Sequence, residues 1–252
     1  MIIAAFDYEA TGADTTKDRI TEVGLALYST GRERVIECTS FYVDREGVPI
    51  SAEATQKTGI TDDLVDAFGY SQQEAAETVG QYFERADAVM GHNITFFDLP
   101  MYWNAAKRTS VAIVEKLAID TMIDIPGVKG EALIKMCADA KDPKTGRDVS
   151  FTYTKHSALD DAKAVIRLTS WHDYDGIVER ARSPWVVMRS HQPNSKDTNK
   201  VVKKLGFRWN PDFKIWWKVT KEIDVATLRS QVPFDTSIAD KEEYPLEVLR
   251  NS

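Results

Sequence analysis

Six apolar residues, Met1 to Phe6, run without a break into Asp7-Tyr8-Glu9-Ala10-Thr11-Gly12. An unbroken apolar run of this length suits a strand buried on both faces. On such a strand Asp7 and Glu9 point the same way, because side chains alternate with period two. Two like charges held there would repel by roughly 4 kcal/mol at ~4 Å and an effective dielectric of ~20. Either the pair merely ends the strand and caps a turn with Thr11 and Gly12, or a cation offsets the repulsion. Oxygen-only ligands would favour a hard divalent ion such as Mg²⁺ or Mn²⁺.

The chain that follows must build around this strand. Residues 19–28 and 34–43 read as strands joined at Ser29-Thr30-Gly31, giving an antiparallel meander of three. Ser51 and Thr61 have the chemistry of helix N-caps, and Ser71 with Glu74 forms a capping box before a helix reaching about Arg85. A short strand at 86–90 ends at Gly91-His92-Asn93, and a helix starts near Asp98, with Pro100 suited to its first turn. A fifth strand at 117–119 ends at Asp120, and helices are expected at 130–139 and 158–172. The polar stretch 141–155 between them reads as a mobile loop, and Ser183-Pro184 as a domain boundary. The expected class is therefore α/β: a mixed five-stranded sheet with helices on both faces, followed by a small α+β domain. Sites in open α/β sheets lie beyond the carboxyl ends of the strands, where Asp7 and Glu9 stand.

Two further segments deliver carboxylates. Asp98 ends Gly91-His92-Asn93-Ile94-Thr95-Phe96-Phe97-Asp98, where an N-cap would be the ordinary role. In His156-Ser157-Ala158-Leu159-Asp160-Asp161-Ala162, helical phase places Asp161 on a stripe with Ala158, Val165 and Leu168, facing the sheet. Asp160 falls on the stripe of Lys163, Ala164 and Arg167, facing water. A carboxylate on the buried stripe requires a partner.

Taken in order, these three segments resemble the three exonuclease motifs of the DEDD superfamily. His156, five residues before Asp161, resembles the DEDDh subgroup that includes ribonuclease T and exonuclease X-like enzymes. Arg19 to Gly24, Thr58 to Thr61 and Ile119-Asp120-Thr121 are also similar to family sequence, and the likeness covers roughly Met1 to Trp171. It implies a ribonuclease-H-like sheet and a 3′-to-5′ exonuclease that releases nucleoside monophosphates. It further implies two divalent ions, Mg²⁺ or Mn²⁺, held by Asp7, Glu9, Asp98 and Asp161, with His156 as general base and the backbone at Ala10, Thr11 and Gly12 against the terminal sugar. The competing readings are a non-catalytic nucleic-acid binder on the same scaffold and an oligoribonuclease-like enzyme for short RNA.

Composition bears on compartment and partners. The 252 residues contain only Cys38 and Cys137, in no zinc-like spacing, and no apolar run of membrane-spanning length. A cytoplasmic protein with no membrane partner is expected. Net charge is −7, which alone argues against a nucleic-acid partner. However, residues 180–221 hold eleven basic and two acidic side chains, a local +9 that leaves −16 for the remainder. A domain at 1–182 and a basic accessory domain at 185–252 follow from this asymmetry. Partners are expected to be single-stranded DNA or 3′ ends, with room for a second copy of the chain or a replication or repair protein.

Within the basic domain the sequence suggests a strand at 186–188, a basic helix at 195–205 and a hairpin over 206–219 turning at Asn210-Pro211-Asp212. Alternation pairs Phe207 and Trp209 with Ile215, Trp217 and Val219 as a packed face. It leaves Arg208, Lys214, Trp216 and Lys218 outward, as substrate-binding candidates. Trp216 then either offers a platform for base stacking or packs against the basic helix. Residues 241–252 mix acidic and apolar side chains, as a partner-binding tail or a disordered end would.

Overall fold

Alternation along the first strand, β1 (Ile2–Ala10), divides the core in two. Ala4, Phe6, Tyr8 and Ala10 enter one apolar cluster, and Ile3 and Ala5 enter the other. The structure is a computed structural model that describes residues 1–126, 130–191, 195–211 and 214–239. It forms two compact units, Met1–Ala181 and Arg182–Ser252. No helix among the described residues is long and apolar enough to cross a membrane.

In the first unit β1 pairs antiparallel with β2 (Ile20–Ser29), and β2 with β3 (Arg34–Tyr42), as the sequence pattern predicts. On its other side β1 pairs parallel with β4 (Ala88–Gly91), which pairs parallel with β5 (Leu117–Asp120), giving the order β3-β2-β1-β4-β5. Three short helices follow the meander: α1 (Ala52–Thr58), α2 (Asp62–Phe68) and α3 (Gln72–Glu84). Their N-caps are the expected Ser51, Thr61 and Ser71, the last with a complete Glu74 capping box.

Helices cover both sheet faces. α3 and α4 (Asp98–Thr109) pack on the Phe6 side through Val79, Phe83, Met101 and Tyr102. The Ala5 side is covered by α5 (Leu133–Ala138), α6 (Ala158–Thr169) and α7 (Tyr174–Arg182). The sequence pattern extends α6 to about residue 172 and gives no separate α7, which the structure contains. The stretch 141–155, expected to be a mobile loop, is anchored. Phe151 and Val149 donate backbone N–H groups to the Cys137 and Ala140 carbonyls, Phe151 is buried, and the Arg167 guanidinium lies 4.2 Å from its ring centroid.

The second unit is a four-stranded sheet in the order β7-β8-β6-β9, from β6 (Trp185–Ser190), β7 (Arg208–Asn210), β8 (Ile215–Lys221) and β9 (Thr236–Ile238). It carries α8 (Lys196–Lys204) and α9 (Val225–Gln231); α9 and β9 were not read from sequence. Its hairpin departs from the predicted faces. Arg208 pairs with Trp217, Trp209 with Trp216 and Asn210 with Ile215, so odd positions face even ones. Trp216 is consequently buried with Met188, Val202, Phe207 and Val232 rather than outward. Lys218 is also turned in, its Nζ donating to the Leu205 carbonyl at 2.8 Å, and burial lowers its pKa. Arg208 and Lys214 remain exposed, and Trp209, expected inside, is exposed instead. Asp212 of the predicted turn and the tail 241–252 lie outside the described residues.

Candidate active site

Because β1 alternates, Asp7 and Glu9 emerge on the face that α6 covers. Among the described residues, oxygens of Asp7, Glu9 and Asp161 all lie within 4.8 Å of one another. The predicted helical phase is observed at Asp161, which is 9% exposed. On the other stripe Lys163 and Arg167 are exposed, but Asp160 is half-buried and Ala164 buried.

The backbone of β2 sets the seat of α6. Gly24 lies so close to the helix start that an added Cβ would sit 2.1 Å from the Ala158 carbonyl carbon. Ser157 supplies no side-chain cap to α6. Instead the Ala158 N–H donates to Glu22 Oε2 at 3.4 Å, while Ser40 donates to Glu22 Oε1 at 2.8 Å. Glu22 stands opposite Glu9 in the β1–β2 register and is nearly buried. It thus replaces a cap from another strand, which local sequence could not reveal. Asp161 in turn accepts the His156 N–H at 2.9 Å and a bond from the Tyr153 hydroxyl. His156 adopts a left-handed backbone, φ 62°, which costs about 1–3 kcal/mol and is held in place by that bond.

Asp98 is not one of the three clustered residues, nor does it cap α4. Pairing of β1 with β4 ends at Ala5 and Met90, leaving the next stretch of the β1 edge open. Asp98 closes that gap, its Oδ1 accepting the Tyr8 N–H at 2.9 Å. The loop before it is pinned by Asp120, whose oxygens accept N–H groups of Asn93, Thr95 and Met122 at 2.8–3.0 Å. An acid at a strand end is visible in the sequence; its burial and its role as a loop tether are not.

These carboxyls crowd one another. Burial, then Asp98, Asp161 and Glu9, raise the Asp7 pKa well above its usual range. Burial and the Asp161 charge push Glu9 up to about 8, against a lowering contribution from Lys57. Asp98 and Asp161 are also raised, chiefly by burial. A set of hard oxygen donors that resists carrying its full negative charge fits a divalent cation such as Mg²⁺ or Mn²⁺.

A cleft of about 470 Å³ opens on the cluster, lined by Asp7, Glu9, His92, Tyr153, His156 and Asp161 among others. A second cleft of about 190 Å³ shares Tyr8 and Glu9 with it and is bounded by Ala10, Gly12, Lys57 and Phe97. Thr11 does not line either cleft. It is 1% exposed, its N–H donates to the Arg19 carbonyl, and its own carbonyl accepts from Ser51. In the second unit, Trp216 Nε1 donates to Asn199 Oδ1 at 3.1 Å, so this ring packs against the basic helix.

A family model described as Exonuclease, RNase_T, matches residues 4–169. No curated protein matches in sequence. Among solved structures, E. coli exonuclease I bound to a dA16 oligonucleotide is similar with a TM-score of 0.56 at 16% identity, covering 75% of this chain and 48% of that one. A zinc-bound complex of E. coli exonuclease I with single-stranded DNA aligns over 99% of this chain and 67% of that one, with a TM-score of 0.58 and 14% identity. The nuclease domain of 3′hExo, a DEDDh family member bound to rAMP, gives 0.55 at 18% identity over 70% of this chain and 94% of that one. In the first of these alignments the chain spans about half the length of exonuclease I. At these identities the likeness establishes the shared fold.

Proposed function

The chain belongs to the exonuclease family whose model spans residues 4–169, and from that premise we propose that its acidic cleft hydrolyses the terminal phosphodiester at the 3′ end of a nucleic acid, DNA by preference, releasing nucleoside 5′-monophosphates. The observation that carries this reading is the meeting of Asp7, Glu9 and Asp161 within 4.8 Å in a cleft that His156 also lines. Asp7, Glu9 and Asp161, with Asp98 beside Asp7, would hold two Mg²⁺ or Mn²⁺ ions. When bound, such ions activate the attacking water and stabilise the leaving oxygen.

The remaining chemistry belongs to the chain. His156 takes the proton of the attacking water, the general-base role an imidazole commonly fills. Asp161 fixes the backbone at His156 through their hydrogen bond, so base and carboxylate are positioned together. Ala10 and Gly12 border the smaller cleft, where the terminal nucleoside sits with Phe97 as an apolar wall. Residues 1–182 form the catalytic domain in this reading, and 185–252 an accessory nucleic-acid-binding domain.

The test is digestion of 5′-labelled single- and double-stranded DNA and RNA with Mg²⁺ or Mn²⁺, with a chelated control. A ladder shortening from the 3′ end, abolished by chelator, is expected. Cleavage that persists in chelator, or proceeds from the 5′ end, would refute the proposal. A rate on RNA exceeding that on DNA would overturn the DNA preference alone.

A further inference from the structure

The second unit carries thirteen Lys and Arg against nine Asp and Glu, net +4, while the first unit carries −11. If the acidic unit trims a polyanion, its own charge repels that substrate, and a cationic surface elsewhere on the chain would offset the repulsion.

The β7–β8 register decides which aromatic ring is available on that surface. Trp209 lies across from Trp216, their ring centroids 5.7 Å apart. Trp216 is held by its indole N–H bond to Asn199 and by Lys203, whose Nζ lies over the ring 5.6 Å from its centroid. Trp209 belongs to β7, which among the described residues has a neighbouring strand on one side only, and is 42% exposed. An indole seated on a rigid partner yet open to solvent has its orientation set in advance, which lowers the entropic cost of stacking on it. Lys196, Lys200, Lys203 and Lys204 are all exposed on α8 at successive spacings of four, three and one residue, forming one cationic stripe. Its Lys203–Lys204 end leads through Leu205, Gly206 and Phe207 into β7 itself.

We propose that Trp209 and the α8 lysine stripe form a sequence-independent binding surface for single-stranded nucleic acid, with one base stacked on Trp209 and the phosphates beside Lys200, Lys203 and Lys204. The choice of nucleic acid as occupant rests on the exonuclease reading. The combination itself, an exposed preoriented ring beside a row of cations, is the chemistry that single strands require.

The test measures binding of a fluorescein-labelled oligothymidylate to the full chain in chelator, where hydrolysis cannot intervene, as a function of salt. Trp209→Ala should weaken binding about 5- to 150-fold, and Trp209→Phe, which keeps a ring to stack on, should recover most of it. Replacing both Lys200 and Lys204 by Ala should reduce the slope of log affinity against log salt by about 1.4, from ~0.7 per phosphate contact on a single strand. Wild-type affinity in Trp209→Ala, or an unchanged salt slope in the lysine variant, overturns the proposal. A chromogenic phosphodiester of a single nucleotide, which has no strand to hold, should be turned over equally by wild type and Trp209→Ala. If wild type hydrolyses neither that compound nor any oligonucleotide, the exonuclease reading fails while the binding result stands.

Discussion

Gly24→Ala tests whether the seat of α6 controls the candidate site. The added Cβ would lie 2.1 Å from the Ala158 carbonyl carbon and 2.2 Å from the Leu159 nitrogen, both backbone atoms that cannot rotate away. Ordinary contact begins near 3.4 Å, so the start of α6 must withdraw from β2 by about 1.3 Å. The Ala158-to-Glu22 hydrogen bond, already 3.4 Å long, would break, and Asp161 would move with the helix away from Asp7 and Glu9. Overpacking of this kind costs about 1–3 kcal/mol, and a lost bond to a charged acceptor about 1.5–3. A sum of roughly 2.5–6 kcal/mol lies at or below the total stability of most domains, so the variant should fold but melt lower. A displacement of about 1 Å in a catalytic group should slow turnover on the order of 10²-fold. The assays are thermal melting, Mn²⁺ binding by calorimetry, and hydrolysis of a labelled single strand. Gly31→Ala is the control, since a Cβ there meets nothing within 4 Å. A Gly24→Ala protein that melts lower yet binds Mn²⁺ and turns over substrate within twofold of wild type would refute the reasoning.

Other substitutions probe the same arrangement. Asp161→Ala should lower the rate by at least about 10²–10³-fold while Asp160→Ala leaves it within a fewfold; the reverse ranking in a steady-state assay would contradict the helical phase. His156→Ala should lose about 10²–10⁴-fold in rate but keep its Mn²⁺ affinity in calorimetry, and loss of that affinity would remove it from the role of base. Glu22→Ala should cost 10- to 100-fold in activity and Glu22→Gln far less, because the amide can still accept from Ala158; equal losses would point to a need for charge at Glu22 instead. The chelated protein should lose stability as pH rises from about 4.5 to 8. Glu9, held up at about 8 in the fold against an ordinary 4.5, retains its proton in that window after the unfolded chain has released it, so unfolding becomes easier with rising pH. The full displacement corresponds to a ceiling of about 5 kcal/mol. Urea melts across pH with chelator and with Mg²⁺ measure it, and identical profiles with and without Mg²⁺ would argue against a cation relieving the repulsion.

What could be read from sequence depended on whether local periodicity was enough to determine it. Asp7 and Glu9 share one face because a strand has period two whatever it pairs with, and Asp161 falls on the buried stripe because a helix has a fixed phase. The caps at Ser51, Thr61 and Ser71 are likewise local chemistry. The hairpin of the second unit required something more, the register between two strands. A slip of one residue exchanges every inward and outward side chain. Pairing Trp209 with Trp216 across a four-residue connection reversed the expected roles of the two rings and drew Lys218 inward. The contributions of Glu22, Asp120 and Tyr153 were hidden for a related reason: each acts on a backbone or side-chain group of another element, so its partner could not be named before the fold was known. Asp98 shows both sides of this boundary. Its position at a strand-to-helix junction was legible, but its bond to the Tyr8 N–H arises only because β4 stops short of the end of β1. The acidic centre therefore depends on strand lengths as much as on the carboxylates themselves, and a chain with the same motifs but a longer β4 would give Asp98 no open strand edge to occupy.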